Sequence, residues 1–346
     1  MKHGGRKMSN YNFYAPTRVI FGAGALSELH KQSMPGKKAL LVISNGKSTI
    51  KNGSLARTEE ELKKAGCDYV LFNKVAANPL KSVVEEGAQS ARDNGCDFVV
   101  ALGGGSVMDA AKVMAMLAPQ PSDDLWDYAS GFSGKAKPLE KDPLPWIAIT
   151  TSAGTGSEVD QAGVITNPDT NEKIGVGGQN SLFAKVAIVD PELMRTVPPK
   201  FTAYQGFDAL FHSLEGYISN AQNPMSEMVE RTAIENIGKY LARAVKDGSD
   251  MKAREKVAFA NTLSGYSMVA CSCTSEHSME HAMSAYHPEL PHGAGLIMIS
   301  VEYFKFWIDK HVCDDRFIDM ARFLGKSDAD KPQDFIDAFR QLQEAC

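Results

Sequence analysis

The sequence predicts an α/β dinucleotide-binding domain with a mostly parallel sheet, followed by an all-helical domain. Three observations carry that expectation. Short apolar runs alternate with helix-like segments through the first half. The alternation stops at a proline-marked hinge. Two loops of small residues each follow an apolar run directly. Strands that alternate with helices imply right-handed crossovers and hence parallel pairing. A chain of 346 residues is long for one domain and suits two. The expected division is 1–197 for the nucleotide-binding part and 198–346 for the helical part.

The elements can be justified in order. Ala39-Leu40-Leu41-Val42-Ile43 is a buried-strand run that ends at the turn signal Ser44-Asn45-Gly46. Residues 54–65 have amphipathic spacing and stop at Gly66. Tyr69-Val70-Leu71-Phe72 reads as a strand, 81–94 as a helix closed by Gly95, and Asp97 to Leu102 as another buried strand. Trp146 to Thr150 repeats the strand pattern. Past Asp190-Pro191 and Val197-Pro198-Pro199 the period becomes helical. Helices are expected over about 201–218, 225–245, 250–270, 274–285, 313–324 and 332–343.

Composition narrows the function. With 43% hydrophobic and 23% charged residues the chain can bury a large core without staples. A net charge of −5 argues against a nucleic-acid footprint. No apolar run is long enough to span a bilayer. Met1 to Met8 is basic, but no apolar signal segment follows, so a cytoplasmic location is expected. The cysteines are scattered and form no Cys-x-x-Cys, and Cys271-Ser272-Cys273 is too close for a zinc-finger arm. They read as reduced structural thiols.

Two loops are candidates for a cofactor. Gly103-Gly104-Gly105-Ser106 joins the strand ending at Leu102 to a helix starting at Val107. Glycines let backbone approach a ligand, and a helix N-terminus offers free N–H groups to phosphate. Ser106 and Asp109 have capping-box spacing, with Asp in the acceptor position. A capped helix after a tight turn would look the same. The second loop, Thr150-Thr151-Ser152-Ala153-Gly154-Thr155-Gly156-Ser157-Glu158, presents hydroxyls and amides with little bulk. Both lie at the carboxyl edge of one sheet, where open α/β sheets bind ligands.

Asp208 and His212 stand one turn apart, so one helix face can offer both to one ion. Of eight histidines, His277, His281, His287 and His292 crowd into sixteen residues. One carboxylate with three imidazoles suits Fe(II) or Zn(II). His281 lies one turn beyond His277 and could relay a proton. His287 reads as a loop histidine, His30 and His311 as structural, and Glu280 as solvated.

With these motifs the chain resembles the iron-containing (group III) alcohol dehydrogenases, from Tyr14-Ala15-Pro16-Thr17 to the last helix. The match rests on Gly103-Gly104-Gly105-Ser106-Val107-Met108-Asp109, Thr155-Gly156-Ser157-Glu158, Gly206-Phe207-Asp208-Ala209-Leu210-Phe211-His212 and Pro291-His292-Gly293. The resemblance implies reversible hydride transfer between NAD or NADP and a small primary alcohol or aldehyde. It implies a divalent ion held by Asp208, His212, His277 and His292, with His281 near the substrate. It sets Asn78, Thr151, Thr155 and Lys173 beside the cofactor, and it implies a homodimer.

Departures from the family pattern are informative. Ser44-Asn45-Gly46-Lys47 stands where NAD-preferring members carry Asp. Without a carboxylate to repel a 2′-phosphate, and with Lys47 and Lys51 nearby, NADP or dual use is favoured. Gln205 and Asp160 replace common threonines; Asp160 could tune substrate polarity or face water. The stretch from His281 to His292 is slightly long. The chain ends at Cys346, earlier than family members usually do, so a final helical piece is expected to be missing. The competing functions are a glycerol-dehydrogenase-like enzyme, a dehydroquinate-synthase-like lyase, and a non-catalytic cofactor- or metal-binding relative. The lyase would need a basic cluster that 205–215 lacks.

Overall fold

The structure, a computed structural model, describes residues 10–346. The basic stretch Met1–Met8 lies outside the described residues. Strands β1 (Arg18–Phe21), β2 (Lys38–Ser44), β3 (Asp68–Val75), β4 (Phe98–Gly103), β5 (Trp146–Thr150), β6 (Ala162–Asn167), β7 (Glu172–Gly177) and β8 (Val186–Val189) occupy the first part. Helices α1 (Ser48–Lys51), α2 (Ser54–Lys64), α3 (Lys81–Asp93) and α4 (Gly105–Leu117) lie between them.

Six of these strands form one parallel sheet in the order β1-β8-β5-β4-β2-β3. All its pairings are parallel, as the alternation of strands and helices predicts. β2, β4 and β5 read as continuous apolar runs because both faces are covered. Leu40, Val42, Val99 and Ala101 pack into one cluster with α3 and α4. Leu41, Ile43, Val100, Leu102, Ile147 and Ile149 pack into another on the opposite face. The chain leaves β2 for β3 on one side and then returns to build β4 and β5 on the other. The strand order therefore reverses between β2 and β4, so their carboxyl ends, Ser44 and Gly103, flank the crevice where such sheets bind nucleotides.

The antiparallel hairpin β6–β7, the edge strand β1 and its neighbour β8 were not expected from the sequence. β1 and β8 are only four residues each, too short for a period to show. β6 and β7 are broken by glycines at 163, 175 and 177. The hairpin packs on α4 and delivers Lys173 toward the helical region.

Beyond the hinge, α5 (Pro199–Ile218), α6 (Pro224–Lys246), α7 (Met251–Ala270), α8 (Glu276–Tyr286), α9 (His292–Asp309), α10 (Asp314–Phe323) and α11 (Gln333–Ala345) follow. Pro199 and Pro224 sit in first turns, where a missing N–H costs nothing. α9 is the helix that sequence periodicity missed. Its run Gly295-Leu296-Ile297-Met298-Ile299 is apolar on every side, so no stripe marks it. Phe304 of α9 contacts the rings of Phe211, Phe317, Phe335 and Phe339 at centroid distances of 5.2–6.5 Å, which fixes α9 against α5 and α11.

Two buried polar groups brace the second small-residue loop, and one of them, Glu158, ties it to the helical part. Lys112 of α4 is fully buried and donates to Ser157 Oγ (3.0 Å), to the Ala162 carbonyl (2.6 Å) and to Asp160. That pairing decides the role of Asp160, which faces Lys112. Glu158 is also fully buried; Asn261 Nδ2 and Thr262 Oγ1 of α7 each donate to its Oε1 at 2.8 Å.

Burial pushes the Glu158 carboxyl up to about 7 from an ordinary 4.5. An acid raised in this way is neutral when folded, so it costs stability as pH climbs from its unfolded value through its folded one. Glu158→Gln keeps an oxygen for both donors and removes the ionisation. Relative to the parent, the variant is expected to gain about 3 kcal/mol between pH ~4 and pH ~8. Urea unfolding at the two pH values measures this, and an unchanged pH slope would count against it.

Candidate metal centre

The donor residues arrive from three helices. Asp208 and His212 lie on one face of α5, and Glu215 continues that face one turn on. His277, Glu280 and His281 belong to α8. His292 opens α9, with Pro291 in extended conformation before it. Asp208, His212, His277, Glu215 and Glu280 are buried.

Three imidazole nitrogens surround a single carboxylate oxygen. His277 Nε2 lies 3.4 Å from Asp208 Oδ1, His212 Nδ1 3.5 Å and His292 Nε2 3.6 Å. Ligands about 2.1 Å from a tetrahedral ion stand about 3.4 Å apart, close to these three separations, and donor atoms of Asp208, His277 and His292 all lie within 4.8 Å of one another. Two of the rings are oriented from behind. Glu215 takes His277 Nδ1 and accepts from the His277 backbone N–H at 3.1 Å. Glu280 takes His292 Nδ1. Each carboxylate turns the Nε2 of its ring inward, the usual device for aiming a metal-binding histidine. His212 Nδ1 is buried and has no hydrogen-bond partner. A buried nitrogen left bare beside a carboxylate is what a cation-binding site requires.

The electrostatics point the same way. Burial would raise the Asp208 carboxyl, but the imidazoles of His212, His277 and His292 outweigh it and hold it far below the usual range. Burial, with His277 and His292 close by, pushes His212 down to about 4. His281 is driven well below its ordinary value by burial and then by His292 and Lys173. It is therefore a neutral ring near neutral pH. The pocket holds three buried carboxylates, Asp208, Glu215 and Glu280, whose charge a divalent cation would help to compensate.

The His281 ring is 5.4 Å from that of His292 and 6.4 Å from that of His277, adjoining the centre. The second small-residue loop crosses the centre: a Cβ at Gly154 would stand 2.9 Å from Asp208 Oδ2, so only glycine lets the loop pass so close. Gln205 Oε1 accepts from the Ala153 N–H at 3.3 Å and holds the loop there. Thr151 N–H donates to the Gly103 carbonyl at 2.9 Å, tying the two loops together. Thr150 Oγ1 donates to the Ser152 carbonyl at 2.9 Å, and Thr155 Oγ1 accepts from Ser157 N–H at 3.2 Å. Ser44 ends β2, while Gly104 caps α4 with Gly105 and Ser106 in its first turn. Asn78 has a left-handed backbone (φ 51°) and donates to the Pro288 carbonyl at 3.1 Å, reaching across to the loop before His292.

Several expectations need correction. The Ser106–Asp109 capping box does not form. Asp109 instead accepts from Ser157 Oγ (2.6 Å) and Val164 N–H (2.9 Å), so it braces the second loop. Glu280 is not solvated; it is fully buried against His292 and Lys173. The error came from treating α8 as having one buried face, whereas α5, α9 and the β6–β7 hairpin enclose it. His30 and His311 have acid partners, Glu61 at 2.6 Å and Asp314 at 3.0 Å. His287 is exposed, as expected. Sequence reasoning also missed Glu215, although its spacing from Asp208 and His212 was the available signal. Cys273 was read as a structural thiol. Its sulfur lies within 4.8 Å of donor atoms of His212 and His277, and burial pushes the thiol up to about 11.

A dinucleotide-type sheet closed by helices that carry an acidic and imidazole donor set is the architecture of a metal-dependent oxidoreductase. Residues 16–191 match the family model for iron-containing alcohol dehydrogenase, and residues 202–346 match the C-terminal model of the same family. The chain belongs to the iron-containing alcohol dehydrogenase family. It is 34% identical over 319 residues to 1,3-propanediol dehydrogenase of Citrobacter freundii, covering 92% of this chain and 80% of that protein. Its fold superposes on an archaeal, halo-thermophilic alcohol dehydrogenase from a Red Sea brine pool with a TM-score of 0.92 and 36% identity, covering 98% of this chain and 87% of the other. NADH-dependent butanol dehydrogenase A of Thermotoga maritima gives 0.86 and 29%, with coverages of 98% and 84%.

Replacing Asp208 by Asn removes the charge common to all three imidazoles. Divalent-ion affinity is expected to fall by more than the roughly 10–100-fold typical of outer partners. Ion content after equilibrium dialysis measures this, and full retention of the ion would refute the site.

Proposed function

We propose that this protein is a metal-dependent NAD(P) alcohol dehydrogenase or aldehyde reductase acting on a small primary alcohol or aldehyde. The observation that carries the reading is the convergence of His212, His277 and His292 on Asp208 Oδ1 beneath the loop at Gly154. In this reading residues 1–197 hold the dinucleotide and 198–346 supply the centre. Asp208, His212, His277 and His292 would hold the ion, Fe(II) or Zn(II), both compatible with this donor set. When bound, the ion serves as a Lewis acid toward the substrate oxygen, and the nicotinamide gives or takes the hydride. A homodimer working in the cytoplasm belongs to the same reading and rests on the family resemblance.

The chain's own residues do the rest. Glu215 and Glu280 hold the Nδ1 protons of His277 and His292, so each ring keeps its inward nitrogen free. His281 is neutral in its buried place and offers a ring nitrogen to accept the hydroxyl proton during oxidation and return it during reduction. The loops at 103–106 and 150–155 lie at the crevice with Asn78, and they would orient the dinucleotide. Lys173, which reaches Glu280 and Ser284 of α8, would lie on the cofactor side of the seam. Ser44 at the end of β2 leaves room for a 2′-phosphate, and the exposed Lys47 and Lys51 beside it support NADP use.

Loss of nicotinamide absorbance with short aliphatic aldehydes tests the reading. Fe(II)-loaded protein is expected to oxidise NADPH or NADH, chelation to stop it, and His277→Ala to lower kcat by about 10²–10³-fold. Bound metal with no turnover of any carbonyl would favour a non-catalytic relative. Ser44→Asp is expected to raise the NADPH Kd about tenfold or more while sparing NADH, through repulsion worth about 1.4 kcal/mol. Equal effects on both dinucleotides would argue against the phosphate assignment.

A further inference from the structure

Glu280 stands between two functional side chains that belong to different halves of the molecule. Its Oε2 takes His292 Nδ1 and also faces Lys173 Nζ at 3.3 Å. Lys173 comes from β7 in the N-terminal part, and its only other side-chain partner among the described residues is Ser284 Oγ at 2.8 Å, one turn along α8 from Glu280. The Lys173 and Glu280 side chains are 4% and 0% exposed. The fold makes room for this carboxylate: a Cβ at Gly295 on α9 would stand 2.8 Å from Glu280 Cγ and 3.0 Å from Oε1.

The geometry points to Glu280 as a positioning residue that couples His292 of the metal centre to Lys173 of the N-terminal part. The inference rests on the metal-dependent reading above. One carboxylate oxygen is shared by an imidazole N–H and an ammonium. Charge that Lys173 draws from Glu280 is charge His292 does not receive. Without Lys173, Glu280 would be left to His292 alone, which would make the ring a stronger donor to an ion.

Co(II) serves as the probe, because its visible spectrum reports the donor set and its affinity can be set against a chelator. In Glu280→Gln, Co(II) is expected to bind about 10–100-fold more weakly, with altered visible bands. Lys173→Met is expected to tighten Co(II) by about 5-fold or more when Glu280 is present, and to leave it unchanged within about twofold in the Glu280→Gln background. A merely structural role for Glu280 would not make the effect of Lys173 depend on it. If Glu280→Gln does not fold, Gly295→Ala displaces the carboxylate without changing charge and should weaken Co(II) about tenfold. Unchanged Co(II) affinity in Glu280→Gln, or the same Lys173→Met effect in both backgrounds, overturns the coupling while leaving the proposed function intact. Failure of the parent protein to bind Co(II) overturns the metal centre itself, and this inference with it.

Discussion

Buried negative charge is the constraint around which the helical region is organised. Asp208, Glu215 and Glu280 are all enclosed, and an isolated carboxylate in such surroundings is costly. Each is answered by an imidazole at close range: Asp208 by three rings, Glu215 by His277, and Glu280 by His292 together with Lys173. The compensation requires α5, α8 and α9 to approach one another closely. The packing of Phe211 on Phe304 supplies the rigid backing that holds α5 and α9 in that approach.

The same constraint joins the two halves of the chain. The loop after β5 closes over Asp208 at Gly154, and its far end is anchored on α7 by Glu158. Asp109 and Lys112 of α4 hold the middle of that loop through Ser157. The helix that follows the glycine loop thus positions the loop that covers Asp208. The helix after the glycine loop and the loop over Asp208 therefore share one braced unit, so a displacement in either would be felt at the other.

Much of the fold was legible. The continuous apolar runs of β2, β4 and β5 announce strands covered on both faces, and the parallel sheet follows from their alternation with helices. The four-residue strands β1 and β8 carried no period, and α9 showed no polar face to mark it. In the centre, Asp208 and His212 could be paired from helical spacing alone. His277 and His292 were linked to them by clustering and by family resemblance, because they stand on different helices and no spacing rule spans the turn between them.

The sequence by itself determined the supply of donors: which imidazoles and which carboxylate exist, and that two of them share a turn of helix. Only the tertiary structure decided what surrounds those donors. Glu280 reads as an exposed residue on a half-buried helix until α9 and the β6–β7 hairpin close over it, and Asp109 reads as a cap until Ser157 and Val164 claim it. The physical reason is that burial is a property of neighbours brought from distant positions. The partner of a buried charge is selected by that enclosure and not by its place in the chain.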